Sequence, residues 1–70
     1  MQVEDIKEVR SGRRVRIICV DAKIGGGDYD IVGLVKEVDG TDFIEWWNSK
    51  DKTEDGLLRG SGDGNLDLKI

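Results

Sequence analysis

The chain has 70 residues and a mass of 7.8 kDa, enough for one domain (residues 1–70) with one small core. It contains no histidine and one cysteine, Cys19, which excludes imidazole bases, Ser-His and Cys-His pairs, the common zinc sites and an internal disulfide. Eleven basic and fifteen acidic residues give a net charge of −4, the wrong sign for an ordinary nonspecific polyanion binder.

A chain this short buries only roughly 60–65% of its unfolded surface. With neither disulfide nor metal to supplement it, self-association is the stabiliser that remains. Apolar runs such as Ile17 to Val20 are too short to span a bilayer, and Met1 to Asp5 is no signal peptide. The expectation is a soluble cytoplasmic protein with no membrane partner, metal or cofactor. The charge is unevenly spread. Residues 1–20 carry five bases and three acids, a local +2, whereas residues 21–70 carry six bases and twelve acids, a local −6. Arg10, Arg13, Arg14 and Arg16 therefore form a candidate basic patch on an acidic body, unless nearby carboxylates pair with them.

In chain order, Gln2 to Val9 predicts a short helix, with Val3, Ile6 and Val9 three apart and Glu4 and Asp5 near its positive end. Ser11-Gly12 ends it. Arg13 to Asp21 is β-branched and partly alternating and predicts a strand, with Val15, Ile17 and Cys19 on one face and Arg14, Arg16, Ile18 and Val20 on the other. After a turn at Gly25-Gly26-Gly27, a second strand is predicted over Asp30 to Val38, with Gly33 marking a sharp bend. Asp39-Gly40 is a strong hairpin signal and suggests a type I′ turn. A third strand runs Thr41 to Trp47, Asn48 to Gly56 is a polar loop, Leu57-Leu58-Arg59 is a short apolar segment, and Leu66 to Ile70 alternates as a last strand. The expected fold is all-β, a small five-stranded antiparallel barrel preceded by a short N-terminal helix.

Within that order, Gly12-x-x-Val15-x-Ile17 followed by Ile31-x-Gly33-x-Val35-x-x-Val38-Asp39 resembles the first motif of Sm-like (LSm) proteins. Leu58-Arg59-Gly60, leading to Leu66, Leu68 and Ile70, resembles their second. The likeness covers residues 3 to 70, and the glycine-bent strand also occurs in other SH3-like barrels. The resemblance implies a homo-oligomeric ring built by edge-to-edge pairing, and a site for single-stranded RNA or a nucleotide at Asp39, Asp42, Phe43, Arg59 and Gly60. Uridine-binding members carry an Asn in the loop after the Asp, where this chain has Asp42-Phe43, and Gly62-Asp63-Gly64 lengthens the second motif.

Trp46 and Trp47 must point to opposite faces of their strand. Trp46, on the side of Ile44, is assigned to the core. Trp47, on the side of Phe43 and Glu45, is left as a stacking platform, an interface anchor or packing beneath a loop. Asp51-x-Thr53-x-Asp55-Gly56 mimics half of a calcium loop but lacks the closing Glu and flanking helices, so it is assigned to an ordinary surface turn. Cys19 has no activating base, and a barrel of this size offers little cleft for paired carboxylates. A non-enzymatic binding module is expected. Either it is an Sm-like oligomer for RNA, or it is an acidic SH3-like module that meets a protein partner, as an adaptor or an accessory protein of a phage or mobile element.

Overall fold

Val15 and Ile17 lie two residues apart in a β-branched run, so an extended backbone puts both on one face, and both are fully buried. A computed structural model, describing Met1 to Ile70, builds the whole chain around that face as one antiparallel sheet curled into a half-barrel. Its strands are β1 (Ile6–Glu8), β2 (Arg14–Cys19), β3 (Ile31–Lys36), β4 (Asp42–Lys52) and β5 (Leu58–Gly60), each paired with the next. The all-β expectation with five antiparallel strands holds, but two of its members differ. No helix is long and apolar enough to cross a membrane.

The N-terminal helix is not formed. Glu4 takes φ 75°, which no right-handed helix accommodates, and Ile6–Glu8 pairs with β2 through Ile6–Arg16 and Glu8–Arg14. Two helical turns would be marginal in isolation, whereas the extended segment satisfies the edge of β2: Glu4 N–H donates to the Ile17 carbonyl at 2.7 Å and Ile17 N–H to that of Asp5 at 2.9 Å. Val9 is fully buried while Ile6 is 60% exposed, so the spacing of three that suggested a helix face does not describe one face.

The register of β2 on β3 shifts between Ile17 and Cys19. This bulge at Ile18 resets the alternation, and Val20, expected on the outer face, packs against the core. Asp39-Gly40 does reverse the chain, but only Gly40 has positive φ (89°), so the turn is not type I′. Gly40 N–H donates to the Glu37 carbonyl at 3.0 Å and Glu37 N–H to that of Thr41 at 2.7 Å, a three-residue loop with the left-handed position last.

Ile31 and Val35 face the core and lie opposite Trp47 and Phe43. That pairing fixes the phase of β4 and reverses the tryptophan assignment: Trp47 is fully buried, while Trp46 shares the outer face with Ile44, which is 54% exposed. The indole packs where two glycines leave space. A Cβ on Gly33 would lie 2.6 Å from Val15 Cγ1 and 3.2 Å from the Trp47 ring; one on Gly60 would lie 2.7 Å from Trp47 Cδ1. Glu45, between Phe43 and Trp47, is also on the inner face, only 7% exposed, and accepts from the Ser61 hydroxyl at 2.5 Å.

Strand β4 continues to Lys52 instead of ending at Trp47. Four of its residues lie between partners separated by a single residue of β5, Trp47–Gly60 and Lys52–Leu58, a large bulge that bends the strand away from β3. Asp30 fixes the bend by accepting from Ser49 N–H at 2.9 Å and its hydroxyl at 2.5 Å. Burial pushes the Asp30 carboxyl up, but these bonds win and hold it below its ordinary value.

Of the expected last strand, one residue pairs. Gly64–Leu66 forms a 3₁₀ turn, after which Leu68 bridges Leu58 on one side and Val9 on the other, drawing the two ends of the curled sheet together. Arg10 reinforces this seam. Its guanidinium donates to the Gly64 carbonyl at 2.9 Å, to both oxygens of Asp55 and to buried Asp67 at 3.3 Å. The Arg10 bond, followed by that from the Thr53 hydroxyl, holds the Asp55 carboxyl far below the usual carboxylate range.

Gly33→Ala and Gly60→Ala should each destabilise the fold by about 1–3 kcal/mol through overpacking, read from urea midpoints. The lowered Asp55 pKa means its bonds stabilise the fold above the ordinary carboxylate value of 3.8 and are lost as pH falls below it. Asp55→Asn should therefore weaken the fold at neutral pH and flatten the acid limb of stability, measured by urea titrations between about pH 7 and 2.

Candidate functional site

Two-residue alternation assigns the outer face of the sheet as strictly as the inner one. Register places Ile6 opposite Arg16, Arg16 opposite Leu34 and Leu34 opposite Ile44, so one row crosses four strands, about 14 Å at ordinary strand spacing. Three of its four members are aliphatic. Val32 and Trp46 form the neighbouring pair on the same face. An outer face in a small antiparallel sheet is ordinarily polar; here β3 and β4 carry apolar side chains there, with Ile6 and Ile44 more than half exposed.

The surface is concave around this row. A depression of about 260 Å³ is lined by Ile6, Leu34, Arg14, Arg16, Lys36 and Asp42, along with Val15. Lys36 pairs with Asp42 at 2.8 Å and Arg16 with Glu4 at 3.3 Å, whereas Arg14 has no carboxylate partner. A second, more open depression of about 530 Å³ continues past Ile6 to Lys7, Glu8, Lys69 and Ile70. Aliphatic floor and cationic rim together suit docking of another macromolecule by side-chain contact.

The residues proposed from the sequence are distributed otherwise. Of the arginine patch, Arg10 is consumed in the seam and Arg13 pairs with Glu37 at 2.8 Å; Arg14 and Arg16 alone line the depression. Asp39 staples its own hairpin, accepting from Thr41 N–H at 3.0 Å and its hydroxyl at 2.6 Å, bonds that lower its pKa. Asp42 is on the rim, and Phe43 turns inward against the core. Arg59 pairs with Asp51 at 3.3 Å, and Gly60 makes room for Trp47 while its N–H donates to Asp67. Trp47 lies opposite Gly60, four residues beyond Phe43, about 13 Å along β4. The hairpin group and the Arg59-Gly60 group are therefore not brought together within one chain. Trp47, the candidate interface aromatic, is instead the centre of the core, its Nε1–H donating to the Leu66 carbonyl at 2.7 Å.

Asp51, Thr53 and Asp55, the calcium-loop mimic, are engaged with Arg59 and Arg10 and with one another. Cys19 is half-buried, with Asp21 accepting from its thiol at 3.2 Å. Sequence reasoning missed Ile6, Leu34, Ile44 and Trp46 as a group. The available signal was that β3 and β4 are apolar at consecutive positions, which a strand with one wet face does not need.

Compared with known proteins, the chain matches no family model, no curated protein and no solved structure.

Proposed function

We propose that the chain is a non-enzymatic protein-interaction module, an SH3-like small barrel that docks a partner on the outer face of its sheet. The observation that carries this is the cross-strand row of Ile6, Leu34 and Ile44, exposed or half-buried beside Trp46. Burying such aliphatic groups yields about 25 cal/mol per Å². Rigid strands present them in a fixed array, so little ordering is needed on binding.

A second proposal follows the Sm-like resemblance: a homo-oligomeric ring that binds single-stranded RNA. What favours it is that β4 outruns β3 beyond Trp47, a sheet edge of the kind a neighbouring copy can extend, although the Ser49 and Lys50 N–H groups there already donate to Asp30 and Asn48. Arg59 stands on the adjoining β5.

One experiment separates the two. The tagged chain and its Ile6→Ser/Ile44→Ser variant are used to capture partners from lysate with and without nuclease treatment, and the absolute mass of each is measured by light scattering. Both positions are mostly exposed, so the double variant should keep its stability within about 1 kcal/mol. The docking role expects protein capture that survives nuclease and disappears in the variant. Capture of RNA alone, by a multimer whose mass the variant leaves unchanged, would replace it with the ring.

A further inference from the structure

We infer that the outer face takes an acidic peptide with aliphatic side chains; this rests on the docking role above and names the partner's chemistry. The face is positive on a negative molecule. Arg14, Arg16, Lys36 and Lys69 line its two depressions from this face, Lys7 being opposite Val15 and so on the other side of β1, and the carboxylates that reach these cations are Glu4, Glu8 and Asp42. Four cations against three carboxylates give a local +1, while the whole chain is −4. Arg14, which has no ion-pair partner, lines both depressions that contain Ile6. Anionic groups entering beside Ile6 thus meet a cation that is not already neutralised, and steering there is opposed by the acidic charge of the rest of the surface.

The floor decides between kinds of anion. Ile6 and Leu34 form it in the first depression, Ile6 and Ile70 in the second, and these are desolvated by aliphatic groups, not by a sugar-phosphate chain. A nucleic acid would need ring faces to stack on, and this face has one aromatic, Trp46, itself half-buried beside Val32. A peptide that alternates carboxylate and aliphatic side chains supplies both halves of the match: leucine-like groups on the floor and carboxylates towards Arg14.

The test is a titration of the ¹⁵N-labelled full chain, followed by amide chemical shifts. The probes are a short synthetic peptide alternating Asp and Leu, its Lys–Leu counterpart and oligo(U). The acidic peptide should shift the amides of Ile6, Arg14, Leu34 and Ile44. Its affinity should fall as salt rises towards about 150 mM, where exposed charges are screened. Arg14→Gln, which removes the charge without setting a second carboxylate opposite Glu8, should keep a folded spectrum and weaken binding about tenfold, with Arg14→Lys close to the original. Failure of the acidic peptide to move these amides overturns the inference, as does tighter binding of the Lys–Leu peptide or oligo(U), or a dimer that covers Ile44. If lysate capture still depends on Ile6 and Ile44 while the acidic peptide is silent, the docking role stands and its acidic partner falls. If capture ignores those two residues, the docking role itself falls.

Discussion

The buried indole of Trp47 governs the path of every element around it. An aromatic of this size brings roughly 150–250 Å² of surface into the interior, a large share for a core of eight buried residues. Its bulk leaves no room for a Cβ at Gly33 on β3 or at Gly60 on β5. Its Nε1–H, once buried, requires an acceptor, and finds it in the Leu66 carbonyl at 2.7 Å. That single bond places the 3₁₀ turn against the barrel end. Leu68, two residues further on, then falls between β5 and Val9 and joins the sheet's two ends.

A second constraint supports the first from outside. Arg10 leaves the end of β1 and reaches the β4–β5 turn through Asp55 and the C-terminal turn through Gly64 and Asp67. These partners are 45 to 57 residues away in sequence, so nothing local distinguishes Arg10 from Arg13 or Arg14. In sequence it belongs to a run of arginines; in space it is a clamp on the seam. Asp67, almost fully buried, accepts from Arg10 and from the Gly60 N–H, which couples that clamp to the same glycine that admits the indole.

What the sequence made legible was governed by local rules. Val15 and Ile17 alternate on a β-branched run and share one face as read, which the fold buries; Asp39-Gly40 reverses the chain as read, though with only Gly40 left-handed. The N-terminal segment was not legible, because three apolar residues spaced by three in a stretch of eight fit a helix or a strand edge about equally well. The bulge at Ile18 also defeated a period-two count, since one extra residue moves every later side chain to the other face. For the candidate site, the sequence singles out Arg14, Arg16 and Asp42, but under a nucleic-acid reading whose other members serve the fold: Phe43 and Gly60 at the core, Asp39 in its own hairpin, and Arg10, Arg13 and Arg59 in ion pairs.

The misassignment of Trp46 and Trp47 has a physical origin that bears on function. On β4 the inner face carries Phe43, Glu45 and Trp47, and the outer face carries Ile44 and Trp46. A buried carboxylate makes the true core face read as the more polar one. Glu45 is tolerated there because Ser61 donates to it, and Gly62 leaves room for its other oxygen, which a Cβ would approach to 2.6 Å. Apolar groups on the outer face do nothing for the core, and their exposure in Ile6 and Ile44 is unfavourable for an isolated monomer in water. A strand that satisfied folding alone would be wet on one side and unambiguous in phase. Conflicts of this kind between local pattern and global fold are expected where a second demand acts on the same residues. On the docking role proposed above, the ambiguity in β4 follows from two surfaces to be buried, one on folding and the other on binding.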